Sequence, residues 1–307
     1  MMFYNVENLF DTIDNPATRD EEFLPEGANQ WSSSRYWRKV KSLYQVITAA
    51  GDSQPPEIIA LCEVEEIIPL YHLTRSTPLS KFQYNIVHHD SPDERGIEVA
   101  LLVRKDKFKI IYHKAIRIRF PSDSSNHTRD ILQVGMLIGA DTLHVFVNHW
   151  PSRRGGQAQS EPLRLYTAQV LLEAIDSLKK KNSQSKCVIT GDFNDEPDNA
   201  SLQMITEGAN LVNLSQDLKK SCKCGTIKYQ SHWSMFDQFL VSGSLLGNEG
   251  VHTHNYAIRI LDNPFLLTTD SVYGGLKLFR TYQGPRYLGG YSDHLPVVLE
   301  FYYDAYP

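Results

Sequence analysis

Short apolar runs recur along the whole chain, and they predict β-strands. Their length and their content of β-branched residues are typical of strands that are buried on both faces. The runs are Ile58–Cys62, Val99–Val103, Leu143–Val147, Cys187–Ile189, Phe239–Val241 and Leu295–Leu299. A core built on β-sheets is therefore expected.

Two other segments have the periodicity of amphipathic helices. The apolar stripe of the first consists of Tyr36, Val40, Leu43, Tyr44 and Ile47. The stripe of the second consists of Leu171, Ala174, Ile175 and Leu178. Ser160 is expected to be the N-cap of the second helix, because a serine hydroxyl can accept a hydrogen bond from an unpaired amide of the first turn. Both helices should pack on a sheet.

The order of these elements favours two packed sheets with helices outside. Predicted strands at 97–104, 108–118, 129–139 and 143–149 follow one another without a helix, which indicates antiparallel neighbours. Elsewhere helices alternate with strands, so the sheets should be mixed but largely antiparallel. No repeat and no Pro-, Gly- or Ser-rich linker divides the chain, and residues 1–307 are predicted to form one domain.

The composition is that of an ordinary globular protein. The 307 residues are 41% hydrophobic and 22% charged, which excludes intrinsic disorder, collagen-like repeats and coiled coils. The net charge of -5 argues against a protein held to nucleic acid by bulk charge alone. No apolar run approaches the roughly 20 residues of a membrane helix. The first residues resemble a strand rather than an export leader, which leaves the location unknown: cytoplasmic for the sequence as written, or secreted or periplasmic if an upstream leader is removed.

Carboxylates, amides and histidines occur where the predicted strands begin or end. These residues are Asn5, Glu7, Glu63, Asn148, His149, Asp192, Asn194, Asp293 and His294. Asp293 and His294 precede their strand, whereas the others follow theirs. An antiparallel placement of that last strand would bring all of them to one edge of the fold.

Such a cluster suits a metal-dependent reaction. Oxygen donors such as Glu63, Asp192 and Asp293 prefer hard cations, and the expected cofactor is Mg²⁺, with Mn²⁺ as a second possibility. Four carboxylates exceed what Mg²⁺ requires, so the surplus is available for catalysis. His149 and His294 are the natural groups for proton transfer and charge stabilisation.

Two arginines follow closely after His149. Arg153 and Arg154 lead into Gly155 and Gly156, which places two guanidinium groups on a flexible loop. Guanidinium groups bind phosphate well, so both arginines are predicted to bind substrate phosphate.

Six short motifs resemble, in order, those of the endonuclease/exonuclease/phosphatase superfamily, which includes deoxyribonuclease I. The motifs are Tyr4–Asn8 (YNVEN), Leu61–Glu65 (LCEVE), Asn148–Ser152 (NHWPS), Gly191–Asn194 (GDFN), Phe236–Phe239 (FDQF) and Ser292–His294 (SDH). They extend over nearly the whole chain. The resemblance implies a four-layer α/β/β/α sandwich with a metal-dependent phosphoesterase site at one edge.

The resemblance also implies roles for the metal-binding side of the site. Glu63 looks like the principal metal ligand. Asn5, Glu7 and Asp293 look like residues in or near the coordination shell.

For the catalytic side, Asp192 looks like the base or orienting group for the attacking water, and Asn194 looks like its partner. His294 looks like the histidine that faces the phosphate, and Asp237 looks like the carboxylate that holds it. His149 occupies a position where deoxyribonuclease I also has a histidine. We add the hypothesis that Glu98 orients His149 and raises its pKa.

These inferences predict a Mg²⁺-dependent phosphoester hydrolase, with a phosphodiesterase that cleaves nucleic acid as the leading function. The alternative is a phosphatase or phospholipase C-type enzyme that acts on inositol phosphates, phosphoinositides or sphingolipids, because family membership does not separate the two. The expected partner is accordingly nucleic acid, or an inositol phosphate or lipid head group; no protein partner is indicated. A catalytically inactive scaffold conflicts with the competent side chains at every matched position.

Overall fold

The computed structural model describes residues 1–121, 127–222 and 224–303. In chain order its strands and helices are β1 (Met2–Leu9), α1 (Ser33–Ala50), β2 (Ile58–Val64), α2 (Ile67–Arg75), β3 (Tyr84–His88), β4 (Glu98–Arg104), β5 (Lys109–Ile116), β6 (Ile131–Ile138), β7 (Asp141–His149), α3 (Gln157–Lys181), β8 (Lys186–Asp192), α4 (Ala200–Gly208), β9 (Leu211–Asn213), α5 (Leu214–Cys222), β10 (Ile227–Tyr229), β11 (His232–Ser234), β12 (Asp237–Ser242), β13 (Ile258–Ile260), β14 (Leu267–Thr269), β15 (Leu276–Leu278), β16 (Tyr282–Gln283), β17 (Arg286–Tyr287) and β18 (Val297–Leu299). Among these elements, no helix is both long enough and apolar enough to cross a membrane.

Two six-stranded sheets form the centre of the molecule. The strand order is β13-β18-β1-β2-β4-β3 in the first sheet and β5-β6-β7-β8-β12-β9 in the second. Only the central pairs β1–β2 and β7–β8 are parallel. The other neighbours in both sheets are antiparallel. The expectation of mixed, largely antiparallel sheets is confirmed.

The alternation of side chains along β1 shows how the first sheet is buried on both faces. Phe3 belongs to an apolar cluster with Leu101 of the same sheet and Val134 of the second sheet, so this cluster lies between the sheets. Tyr4 points to the opposite face and shares a cluster with Leu43 of α1. Successive residues of a strand face opposite sides, so both faces of β1 must be apolar.

A third cluster covers the outer face of the second sheet. Ile189 of β8 lies there with Leu171 of α3 and Leu202 of α4. Helices therefore flank both outer faces of the two sheets. This is the four-layer α/β/β/α sandwich that the sequence motifs imply.

The structure confirms the predicted stripe of α1 but corrects the start of α3. Tyr36, Val40 and Ile47 are buried as expected. Helix α3 begins at Gln157 and its N-cap is Gly156, whose φ of 119° lies in a region that favours glycine. Ser160 is not the N-cap, because it lies inside the helix and its hydroxyl donates back to the carbonyl of Gly156 at 2.8 Å.

The register of the strands brings the predicted site residues to one edge. In the second sheet, His149 lies opposite Asp192 across the β7–β8 pair. Asp192 in turn lies opposite Asp237 across the β8–β12 pair. In the first sheet, Asn5 lies opposite Cys62, the residue before Glu63. Strand β18 runs antiparallel to β1, so the segment that precedes β18 reaches the same edge.

The packing between the sheets predicts a large loss of stability for Leu101→Ala. Leu101 is fully buried, so removing most of its side chain should lower the free energy of unfolding by about 2–5 kcal/mol. Leu137→Ala is the matched control, because Leu137 is also a strand leucine but is 36% exposed. The control should lose less than about 1 kcal/mol. Urea unfolding measures both changes, and equal losses would contradict this assignment of the core.

Candidate active site

Side chains from both sheets converge on Asp192. Its Oδ2 accepts a hydrogen bond of 3.0 Å from Asn5 Nδ2, which crosses from the first sheet to the second. The Nε2 atoms of His149 and His294 each lie 3.8 Å from the same oxygen. Burial raises the pKa of the Asp192 carboxyl to about 6, although the charge of His294 opposes this rise. The carboxylate therefore has two imidazole rings and an amide around a single oxygen.

Asp237 holds His294 in place. Oδ2 of Asp237 lies 2.7 Å from Nδ1 of His294, and both side chains are buried. Burial alone would lower the pKa of His294, but the negative charges of Asp237 and Asp192 raise it well above its usual value. His294 therefore carries a positive charge at neutral pH. The contact that the motifs imply between these two residues is present.

Two buried hydroxyl groups fix the backbone around this pair, and the sequence analysis identified neither of them. Thr226 Oγ1 accepts a hydrogen bond of 3.2 Å from the amide of Asp237. Ser292 Oγ donates to the carbonyl of Asn5 at 2.7 Å and accepts from the amide of His294 at 3.0 Å. Ser292 therefore joins the end of β1 to the histidine. Its place beside Asp293 in the SDH motif was a usable signal, whereas Thr226 lies in no motif.

His149 faces the carboxylates of both sheets. Its Nε2 lies 3.9 Å from Glu63 Oε1 and 3.8 Å from Asp192 Oδ2. Burial, together with the charges of Arg129 and Arg95, holds the pKa of His149 well below its usual value. The ring is therefore neutral at physiological pH and offers one N–H donor and one acceptor nitrogen.

The hypothesis that Glu98 orients His149 is wrong for this structure. Glu98 Oε1 accepts hydrogen bonds from the amide (3.0 Å) and hydroxyl (2.8 Å) of Ser91. Nδ1 of His149 has no hydrogen-bond partner among the described residues. The pKa of His149 is also lowered rather than raised. The Glu98 carboxylate is hydrogen bonded to the loop that contains Ser91. Burial is the largest cause of the lowered pKa of His149.

Glu63 presents its carboxylate at the edge of the first sheet. Oε1 accepts from Asn5 Nδ2 at 3.3 Å, and Oε2 accepts from the Asn8 amide at 3.0 Å. The backbone φ angles of Glu7, Asn8 and Glu63 are 51°, 60° and 63°, in the left-handed region that non-glycine residues rarely adopt. Such conformations persist where the surrounding structure enforces them, and they concentrate at functional sites.

Arg280 is a site residue that the sequence analysis missed. Its Nε lies 3.0 Å from Glu7 Oε1, and its second terminal nitrogen lies 2.8 Å from Asp293 Oδ2. Oε2 of Glu7 accepts a further bond of 2.6 Å from the amide of Thr281. Both oxygens of Glu7 are therefore occupied by protein donors. In this structure Glu7 holds Arg280, and its place in or near the metal shell stays a prediction.

Glu63 and Asp293 are the carboxylates best placed to hold a metal. Their side chains are 15% and 25% exposed, whereas that of Glu7 is 4% exposed. Both offer hard oxygen donors that fit Mg²⁺ or Mn²⁺. Ligand atoms of Asp192, Asp237 and His294 also lie within 4.8 Å of one another. We favour the first set, because its carboxylates are more exposed, whereas Asp237 and His294 are buried and already hydrogen bonded to each other.

Asn194 organises the loop after β8. Its amide donates to Asp192 Oδ1 at 2.9 Å, and its side-chain nitrogen donates to the carbonyl of Trp150 at 3.1 Å. Its φ of 51° is again left-handed. The Asn194 amide therefore helps to position the Asp192 carboxylate. Its side chain joins the loop after β8 to the end of β7.

The two arginines of the NHWPS segment have different surroundings. Arg153 donates to the carbonyl of Asn194 (2.7 Å), to Gln157 (2.9 Å) and to Asp195 (3.0 Å). Its guanidinium is thus committed to the protein, and its predicted role in phosphate binding is wrong for this structure. Arg154 is exposed and stays a candidate for that role.

The contacts of Arg153 predict a structural phenotype. Arg153→Ala should lower the free energy of unfolding by about 1–3 kcal/mol, because it leaves buried acceptors without partners. Arg154→Ala, the matched control, should change it by less than about 0.5 kcal/mol. Urea unfolding of the two variants tests this. An Arg153→Ala protein with the same free energy of unfolding as the wild type would show that the guanidinium does not contribute to stability.

The environment of Glu98 predicts a pH-dependent stability. Burial raises the pKa of Glu98 to about 8. The folded protein therefore binds this proton more tightly than the unfolded chain does. The corresponding stability is complete below about pH 4.5 and disappears as the pH rises through about 8.

Glu98→Gln should remove this slope, which amounts to a loss on the order of 3 kcal/mol between pH 5 and pH 9. Urea unfolding at pH 5, 7 and 9 measures it in both proteins. Parallel stability profiles for the wild type and the variant would refute the assigned pKa.

Solved structures of other proteins share this fold at low sequence identity. A humanised TDP2 of D. rerio is 17% identical, with a TM-score of 0.61 over 98% of this chain and 97% of the other. The mannosyl-6-phosphatase of Bacteroides thetaiotaomicron is 17% identical, with a TM-score of 0.61 over 98% of both chains. The human nocturnin catalytic domain is 17% identical, with a TM-score of 0.60 over 99% and 93%. No curated protein matches the sequence.

The family assignment comes from the sequence itself. Residues 1–302 match the Endonuclease/Exonuclease/phosphatase family, which is nearly the whole chain. Members of this superfamily are hydrolases that act on phosphoester bonds, and they generally depend on a divalent metal. The match agrees with the two packed sheets and with the convergence of acidic and histidine side chains at one edge. The chain belongs to the Endonuclease/Exonuclease/phosphatase family.

Proposed function

We propose that this protein is a Mg²⁺-dependent phosphodiesterase that hydrolyses nucleic acid. The observation that carries the proposal is the position of Asp192 Oδ2, with the Nε2 atoms of His149 and His294 each 3.8 Å away. A carboxylate between two imidazoles can hold a water on one side while the rings face a phosphate on the other. Hydrolysis of a phosphoester needs both functions in one place.

The protein side of the reaction follows from these contacts. Asp192 orients the attacking water and takes up its proton. His294 stays positively charged because Asp237 holds its other ring nitrogen, and it stabilises the charge that develops on the phosphate oxygens. His149 is neutral and contributes a hydrogen bond. A divalent cation bound at Glu63 and Asp293 would supply further positive charge at the phosphate.

Two features favour nucleic acid over a small phosphorylated substrate. Arg154 is exposed on the loop after His149 and forms no ion pair within the described parts of the chain. A cation outside the carboxylate cluster suits a substrate that extends past it. TDP2 of D. rerio, which shares this fold with a TM-score of 0.56 and 16% identity, has been solved with a single-strand DNA product.

The first test is the nicking of supercoiled plasmid. The wild type should nick it with Mg²⁺ or Mn²⁺ and lose this activity with a chelator. Asp192→Asn should lower the rate about 10²–10⁴-fold, because the variant cannot take up the proton. Asp198→Asn is the matched control, since Asp198 is an exposed aspartate of the same loop region. Its activity should equal that of the wild type.

The results separate the proposal from its alternative. Nicking that needs neither metal nor Asp192 would exclude the mechanism. A folded protein that binds Mg²⁺ but nicks nothing would exclude the nucleic-acid substrate. Phosphate release from inositol phosphates, and cleavage of phosphoinositides and sphingolipids, then test the alternative of a phosphatase or phospholipase C-type enzyme.

A further inference from the structure

A cavity of about 1110 Å³ opens beside the active-site edge. Pro151 and Ser152 contribute to its wall, and they follow His149 by two and three residues. Gln159 and Ser160, from the first turns of α3, line another side. The cavity is far larger than a single phosphate group needs. Part of its wall comes from the chain segment directly after His149.

The charged residues of this cavity are only partly neutralised. Arg129 pairs with Asp93 at 3.1 Å, and Arg19 pairs with Glu94 at 2.6 Å. The remaining arginines in the lining are Arg95 and Arg154, and neither forms an ion pair within the described parts of the chain. Glu22 is the remaining acid of the lining. The unpaired charge is therefore positive, which suits an anion.

Arg95 connects the cavity to the metal-binding edge. Its guanidinium donates to the side-chain oxygen of Asn8, and the amide of Asn8 donates to Glu63 Oε2 at 3.0 Å. Arg154 lines the same cavity from the loop after His149, and the neighbouring Arg153 is held elsewhere by its own hydrogen bonds. An anion bound by Arg95 and Arg154 would thus lie in the cavity, next to the metal-binding edge rather than on it.

We propose that this cavity is a second phosphate subsite, in which Arg95 and Arg154 bind the phosphate next to the scissile one in a nucleic-acid strand. The proposal rests on the proposed function and deepens it by assigning the substrate class. A sugar monophosphate or a lipid with a single phosphate would leave these arginines without an anionic partner. A strand supplies a phosphate at every step along its length.

The test compares two phosphodiesters in the same enzyme. One is a short single-stranded oligodeoxynucleotide, and the other is bis(p-nitrophenyl) phosphate, which has a single phosphate. Arg154→Gln and Arg95→Gln should each lower the ratio of kcat/KM for the oligonucleotide to kcat/KM for the small ester by about tenfold. Lys181→Gln removes a positive charge at the far end of α3, roughly 36 Å away along the helix, and should leave the ratio unchanged.

A binding measurement makes the result independent of catalysis. Fluorescence anisotropy with a labelled oligonucleotide and the Asp192→Asn protein gives the affinity at several salt concentrations. Arg154→Gln in that background should weaken binding and reduce the salt slope by about 0.7 for one lost phosphate contact. An unchanged affinity and slope in both arginine variants would overturn the subsite.

The remaining outcomes distinguish the two proposals. If the wild type hydrolyses bis(p-nitrophenyl) phosphate but neither cleaves nor binds the oligonucleotide, the subsite is refuted while a phosphoesterase stands. If neither ester is hydrolysed but oligonucleotide binding depends on Arg154, the proposed function fails, and what stands is phosphate binding by the arginines without a neighbouring scissile phosphate. If an inositol polyphosphate displaces the labelled strand at a lower concentration than the unlabelled strand does, the assignment to nucleic acid is overturned.

Discussion

The hydrogen bond from Asn5 to Asp192 joins the two sheets at the edge where the site lies. Everything else in the site depends on the distance and orientation between the two sheets, because the predicted metal ligands belong to one sheet and the predicted base, Asp192, belongs to the other. The apolar layer between the sheets sets their separation, and the strand registers set which residues reach the edge. Packing, rather than any local motif, therefore determines the distances in the site.

Much of this arrangement was predictable, because most site residues lie at the ends of strands that the apolar runs identify. Glu63, Asp192 and His294 stand directly beside apolar runs, and the pairing of those runs brings them together. Arg280 and Thr226 were not predictable in this way. Each lies in an irregular part of the chain outside every motif, and Arg280 is also far in sequence from Glu7, so only the folded loops bring them to the site.

The errors have physical causes that can be named. Arg153 looked free because it lies in a glycine-flanked loop, but the loop folds back so that Asn194 and Asp195 take up its donors. Glu98 lies at the expected strand end, yet Ser91 is the closer partner. A sequence shows which groups can reach an edge, whereas the competition among them for hydrogen bonds is decided by side-chain directions that the pattern does not contain.

The guanidinium of Arg280, between Glu7 and Asp293, has a consequence for assembly. It provides positive charge inside a group of carboxylates that would otherwise repel one another. In proteins whose fold depends on a structural ion, removing the ion unfolds the chain. Here an internal cation already offsets that repulsion, so the arrangement of Glu7 and Asp293 does not depend on a bound ion.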